Sequence, residues 1–191
     1  ITFMMIITDY GFELYAPGKI IKNEIDVDVI FTHVLIIKSA LFIISAAFIL
    51  MIFISTKYYI GRLDILTWLV LAVFFNSFSM LWLFQANEVI YVYSRITVVT
   101  KLIAVGLIYL FVKSSNDLNI VFAIICITNA ATLIISFAFC KNRFQLKFVR
   151  IKLHETLTLA KEAFEYFASR LGVSIYSALG GFVIGAFSGS L

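Results

Sequence analysis

Apolar residues in this chain fall into long, nearly unbroken blocks divided by short polar interruptions, and the lengths of the blocks carry the first inference. An α-helix needs about 20 residues to cross the hydrocarbon core of a bilayer, whereas a tilted strand needs only about 9–11 and alternates in polarity. Ile1–Thr8 reads as the end of one crossing, followed by Asp9, Gly11 and Glu13. Pro17-Gly18 predicts a break, and Lys19–Asp28 a polar connector. Ile30–Thr56 is a span interrupted by Lys38; Lys57–Asp64 is a short loop; Ile65–Asn87 is a charge-free span. Glu88 and Arg95 flank a short polar stretch. Ile96–Val112 is apolar apart from Lys101, and Lys113–Asp117 is a tight turn. Leu118–Cys140 is again charge-free, Lys141–Glu165 is the longest polar segment, and Leu171–Leu191 is the last span. Leu41–Ile54 and Ile120–Ile127 are almost continuously apolar, which excludes period-two strands. Backbone groups in lipid must bond within their own segment. The pattern therefore predicts an all-α, polytopic transmembrane helix bundle of about six spans, the first truncated.

Composition removes the soluble alternative. Hydrophobic residues make up 62% of the 191 positions and charged residues 14%, against about 45–50% and 25% in a soluble domain. Too little polar surface remains to cover a particle in water. The chain opens at Ile1 on an apolar run and is expected to be a piece of a longer protein. Cys126 and Cys140 have no CxxC spacing, and His33 and His154 are far apart with no neighbouring cysteine, so no metal site and no cofactor are expected.

Charge sets orientation and narrows the partners. The net charge of +4 comes from basic residues beside spans, where the positive-inside rule and anionic lipids explain them without nucleic acid. Lys141, Arg143, Lys147, Arg150, Lys152 and Lys161 put the 141–161 connector in the cytoplasm; Lys19, Lys22 and Arg95 fall on the same side, and Lys57, Arg62 and Lys113 on the other. Tyr58, Tyr59 and Trp68 near one boundary, with Trp82, Tyr91 and Tyr93 near the other, suit two aromatic belts. Leu153, Leu157, Ala160 and Phe164 have helical spacing; an interfacial helix and a solvated lead-in to the last span are equal alternatives.

Charges inside spans cost about 2.5–3.5 kcal/mol on insertion scales and tend to face a bundle interior. The candidates are Asp9, Glu13, Lys38, Glu88, Arg95, Lys101 and Arg170. Asp9 and Glu13, four apart, could bind a cation or protons from one helical face, or sit at the aqueous end and pair with Lys19. Glu88 and Arg95 share a face if their helix begins before Glu88. Lys38 and Lys101 could face a cavity or snorkel to the headgroups. Tyr166, Arg170, Ser174, Ser177 and Gly181 form a polar stripe suited to an anionic, sugar-bearing ligand or to close helix packing. Asn129, Thr132 and Ser136, and Asn76 with Ser79, read as packing. No GxSxG, HExxH, Walker A or Rossmann fingerprint occurs, so no catalytic residues are assigned and the chain is not expected to be an enzyme.

Three strings then carry a resemblance. Asp9-Tyr10-Gly11-Phe12-Glu13-Leu14 with Lys19 shortly after, Trp82-Leu83-Phe84-Gln85 with Glu88, and Glu162–Arg170 with Ser174 and Tyr176 occur in this order. Together they resemble bacterial O-antigen flippases, the polysaccharide transporter branch of the MATE-like flippase superfamily, along nearly the whole chain. The resemblance implies two six-helix lobes around a central cavity. Residues 1–140 would supply helices two to six, 141–161 a cytoplasmic basic connector between lobes, and 162–191 the first helix of the second lobe. The implied activity moves undecaprenyl-diphosphate-linked oligosaccharide across the bacterial cytoplasmic membrane by alternating access. Arg95, Arg170, Lys38, Lys101 and Ser174 become substrate-binding candidates, Tyr91 and Tyr93 could stack on sugars, and Asp9, Glu13 and Glu88 become ion-coupling candidates. Membrane lipids, a polysaccharide polymerase and a chain-length regulator are the implied partners. A drug or small-cation exporter of the same superfamily and a membrane-embedded glycan polymerase are the competing readings.

Orientation is testable with the two native cysteines. With 141–161 inside, a membrane-impermeant thiol reagent applied to intact spheroplasts leaves Cys140 unlabelled in a Cys126→Ser background. Efficient external labelling of Cys140 would reverse the topology.

Overall fold

The computed structural model describes residues 2–55, 63–114 and 117–188, with side chains over 6–55, 66–114 and 117–176. Among the described residues eight helices follow in chain order: α1 (Thr2–Asp9), α2 (Phe12–Ile21), α3 (Val27–Ser55), α4 (Leu63–Ser77), α5 (Leu81–Ala86), α6 (Ile90–Phe111), α7 (Leu118–Phe144) and α8 (Leu153–Ser188). No strand occurs among the described residues. Among the described residues, four stretches are long and apolar enough to cross a membrane: Val27–Ser55, Leu66–Ala86, Ile90–Phe111 and Leu118–Phe144. The expectation of an all-α polytopic bundle holds. Of the expected 57–64 loop, residues 57–62 with Tyr58, Tyr59 and Arg62 lie outside the described residues, and Leu63 and Asp64 already belong to α4; the side chains of Ser177 and Gly181 also lie outside them.

The apolar surface is turned outward along much of the bundle. Ile43, Met51 and Ile54 on α3, Leu102, Val105 and Tyr109 on α6, and Ile127 and Ile134 on α7 are all exposed. In water this would be an aggregating surface; against lipid tails it is the expected one. The packed core sits instead at the end of the bundle near the 145–152 connector. There Phe12, Tyr15, Phe31, Val34, Trp82, Leu83, Phe84, Cys140 and Ala163 are buried together. Phe84 stacks on Phe139 with ring centroids 5.4 Å apart, and Phe31 lies 5.6 Å from Phe148 of the connector. Trp82 is therefore a core residue, 1% exposed, rather than a member of an aromatic belt. The short helix α5 packs against α2 and brings the indole to within 6.5 Å of the Phe31 ring on α3.

Several boundaries differ from the sequence expectation. The first break falls at Tyr10-Gly11, both with positive φ (51° and 75°), and α2 runs through Pro17 to Ile21. Proline's fixed φ is compatible with a helix, and in a ten-residue helix it removes a single internal hydrogen bond. Half of the expected 19–28 connector is thus helix, with the turn confined to residues 22–26. The charge-free 65–87 span is interrupted between Ser77 and Leu81. Ser79 repairs the break: its Oγ accepts the Leu81 N–H at 3.3 Å and shares a hydrogen bond with the Tyr93 hydroxyl at 3.0 Å. The segment from Leu153 is not a separate helix: it continues without a break into the last long helix as α8, as the lead-in alternative expects. Of the basic connector, only residues 145–152 are non-helical. They are strapped to α3 by Lys147 N–H to Asp28 Oδ1 (3.0 Å) and Val149 N–H to Thr32 Oγ1 (3.2 Å).

The α1–α2 turn also fixes where α8 lies. A Cβ added at Gly11 would sit 2.7 Å from the Phe167 nitrogen and 2.9 Å from the Tyr166 carbonyl carbon, inside any real contact. Gly11 is left-handed as well, a region costly to other L-residues. Tyr10 stacks on Phe167 beside it, ring centroids 5.0 Å apart. Gly11→Ala should lower the thermal unfolding midpoint of the detergent-solubilised full-length protein, with a cost of about 1–3 kcal/mol from the backbone alone and more from the clash. A midpoint equal to that of the unsubstituted protein would show that α8 does not rest on this glycine.

Candidate functional site

Four charges gather where α1, α2, α3 and α8 meet. Lys38 Nζ, on α3, donates to Asp9 Oδ1 at 3.1 Å, and the lysine is 2% exposed. Arg170, on α8, donates from Nη1 to Asp9 Oδ2 at 2.5 Å and pairs through Nη2 with Glu13 Oε2 at 2.8 Å. Asp9 ends α1 and Glu13 lies in the first turn of α2. Arg170 thus bridges two carboxylates from two helices, while Asp9 holds two cations. Formal charge sums to zero. Removing one member of such a buried set leaves an uncompensated charge, whereas the intact set is self-satisfied.

This arrangement resolves the alternatives left by the sequence. Asp9 and Glu13 do not share a helix, because the Tyr10-Gly11 turn separates α1 from α2, yet they converge on one guanidinium. They do not pair with Lys19, which instead binds Glu24 at 2.8 Å and Glu162 at 3.0 Å. Lys38 does not snorkel; it is buried against Asp9.

Lys19 and Glu162 lie nearer the connector, where Glu162 also accepts the Tyr15 hydroxyl at 2.9 Å. Hydrogen bonds from Lys19 and Tyr15 hold the Glu162 carboxyl below its ordinary range, and the two carboxylates raise the lysine. Arg170 follows Glu162 by eight positions on α8, roughly 12 Å deeper along the axis. One further rung is a 2.9 Å hydrogen bond between His33 Nδ1 and Thr156 Oγ1. The face of α8 that meets α1–α3 is therefore fastened by polar contacts at Thr156, Glu162 and Arg170.

Glu13 also lines a cavity of about 140 Å³ between α2, α4, α6 and α7, space enough for several waters. Its polar wall includes Ser79, Tyr93, Lys101, Asn129 and Ser136. Lys101 Nζ donates to Asn129 Oδ1 at 2.9 Å, and the hydroxyls of Thr100 and Thr132 meet at 2.8 Å. Ser136 is 1% exposed, and its Oγ has no hydrogen-bond partner among the described residues. The Asn76/Ser79 and Asn129/Thr132/Ser136 stripes, read from sequence as packing, are the walls of this cavity. Their signal was the three-to-four-residue spacing of small polar groups on two separate helices. What sequence could not supply was that the two stripes face each other.

The remaining candidates stand apart. Glu88 has φ 57° and precedes α6, so it shares no helix with Arg95. Arg95 is exposed, its guanidinium 5.5 Å from the Tyr91 ring centroid. Ser174 is half-buried one turn beyond Arg170. Among the described residues no group of three or more His, Cys, Asp or Glu is arranged to hold a metal ion.

The family model for polysaccharide biosynthesis proteins matches residues 1–190. The chain belongs to this family. A protein of Escherichia coli (strain K12) named "Putative O-antigen transporter" is 26% identical over 190 residues, covering 98% of this chain and 46% of that protein. The chain thus spans about half the length of the curated relative it matches. No solved structure matches it significantly. Family membership and the outward-facing apolar helices together make this a multi-pass membrane protein.

The Asp9–Lys38 pair can be weighed in a double-substitution cycle. Asp9→Asn alone or Lys38→Met alone should destabilise the full-length protein by about 3–5 kcal/mol, the cost of orphaning a buried charge. The double variant should recover a large part of that loss. Strictly additive losses in thermal unfolding would rule out coupling between the two.

Proposed function

We propose that this chain is part of a flippase that carries undecaprenyl-diphosphate-linked oligosaccharide, an O-antigen or related glycan unit, across the bacterial cytoplasmic membrane. The observation that carries this reading is the polysaccharide biosynthesis family match along residues 1–190. The relative's name as an O-antigen transporter supports the same class of cargo. On this reading the protein is a transporter and not an enzyme. Residues 1–140 contribute to a first lobe, 141–161 to a cytoplasmic connector, and 162–191 to the first helix of a second lobe.

The chemistry of the candidate site suits an anionic, sugar-bearing lipid. Arg170 is the one member of the charged quartet with substantial exposure, its side chain 33% accessible against 2% for Lys38. A guanidinium offers paired donors to phosphate oxygens. Lys101, Tyr93, Asn129 and Ser136 offer the mixed donors and acceptors that sugar hydroxyls need. Arg95, stacked on Tyr91 and open to its surroundings, is a second cation able to meet the diphosphate. Export of a small cation is the competing reading. Asp9 and Glu13 are already neutralised by Lys38 and Arg170, which disfavours a site for a cationic drug.

Surface glycan per inserted molecule, measured by complementing a flippase-null strain with the full-length gene, tests the assignment. Arg95→Ala and Arg170→Ala should each reduce it about tenfold or more, the loss of a charge-assisted contact of about 1.5–3 kcal/mol. Arg170→Lys should restore only part, because lysine lacks the paired donors. Normal surface glycan per molecule in both alanine variants would remove these arginines from the mechanism. Failure of the unsubstituted full-length gene to restore any glycan, in a strain whose glycan matches its source, would remove the assignment itself.

A further inference from the structure

We propose that Arg170 is an exchange position: its guanidinium leaves Asp9 and Glu13 for the anionic head of a lipid diphosphate, and this exchange unfastens α8 from the α1–α2 turn. The inference rests on the proposed function for the identity of the anion. Its mechanical half rests on the geometry of the seam.

Three observations make Arg170 the mobile member of the quartet. It is the most exposed of the four, and its two carboxylate contacts run to two separate short helices, α1 and α2. Lys38, in contrast, is enclosed, 2% exposed, and has its own contact with Asp9 at 3.1 Å through the other carboxylate oxygen. Asp9 therefore keeps a cation when Arg170 departs. Glu13 is also provided for, since it already faces the cavity that holds the Ser79 and Tyr93 hydroxyls and the Lys101 ammonium. Departure of Arg170 leaves one net negative charge, with Asp9 still on Lys38 and Glu13 at the wall of a polar cavity, so the cost of breaking the pair is partly offset.

Among the described residues the same contact is the ionic rung on α8 farthest from the connector. Nearer the connector the face is held at Glu162 by Lys19 and Tyr15, and at Thr156 by His33. Between Glu162 and Arg170, α8 lies directly on Gly11, with Tyr10 stacked on Phe167. Helix and turn touch there through backbone and two rings. Loss of the Arg170 rung releases the far side of this contact, and the Tyr10–Phe167 separation reports it.

The test uses the full-length protein in liposomes, its other cysteines replaced, carrying Tyr10→Cys and Phe167→Cys. A short bifunctional thiol reagent measures how often the two sites meet. Without lipid diphosphate, cross-linking should be fast, because the two rings lie 5.0 Å apart. Polyprenyl diphosphate in the liposome should slow it at least about fivefold, the low end of ordinary coupling between two linked equilibria, while a polyprenol of equal length leaves it unchanged. Linkage requires the reverse as well: Glu13→Gln, which removes one competing carboxylate, should tighten polyprenyl diphosphate binding by several-fold and slow cross-linking in its absence. Should Glu13→Gln fail to insert, the lipid titration on the otherwise unsubstituted pair decides alone. Binding of polyprenyl diphosphate with no change in cross-linking overturns the exchange and leaves the proposed cargo standing. Absence of any binding overturns both.

Discussion

A lysine enclosed among apolar helices has to find an anion, and in this chain the need is met by Asp9. Everything around the candidate site follows from that requirement. Asp9 must reach Lys38, so α1 ends where it does, and the chain turns sharply through Tyr10 and Gly11. The turn brings Glu13 to the same spot from a second helix. Two carboxylates beside one lysine would leave a net negative charge in a medium that solvates ions poorly; Arg170 restores neutrality and in doing so draws α8 onto the turn. The absence of a side chain at Gly11 lets the helix approach closely enough for this contact to form.

Outside this region the bundle is organised by a different rule. With lipid as the surrounding solvent, apolar side chains gain little by being hidden, and helices associate through packing, aromatic contact and polar bonds. That accounts for a dense core at the connector end, where Phe12, Phe31, Trp82 and Phe84 are enclosed, and for the aromatic contacts of Phe42 with Phe74 and Phe78 that join α3 to α4. It also accounts for polar pairs such as Thr100–Thr132 and Lys101–Asn129 joining α6 to α7 where few side chains are buried. The cavity between these helices is lined by the polar groups that draw them together.

Long helices were legible because the only property they need is length without charge, and Ile30–Thr56 and Leu118–Cys140 display it openly. Turn positions were less legible. Pro17-Gly18 carried the stronger breaker signal, yet the break fell at Tyr10-Gly11, because tertiary contact with Phe167 demands a left-handed glycine there and nothing demands a stop at Pro17. The candidate charges were found individually, since each violated an apolar run. Their pairing was not, because Asp9 and Arg170 are 161 positions apart and no local period links them. Asp9 and Glu13 show the limit clearly: four-residue spacing suggested a shared helical face, and the two carboxylates do converge, but across a turn that the spacing argument excluded.

The order of the quartet along the chain has a consequence for how the protein enters the bilayer. Membrane helices are laid down from the N-terminus during synthesis, and Asp9 precedes Lys38, which in turn long precedes Arg170. When α3 is inserted, its buried lysine already has an anion waiting at the end of α1, so the helix that alone would resist partitioning arrives with its charge answered. Glu13, by contrast, waits through the synthesis of α4 to α7 for its guanidinium. During that interval its company is the wall of small polar groups contributed by the very helices being added. The cavity at Glu13 would then serve a nascent chain as a temporary shelter for an acid whose permanent partner has not yet been made.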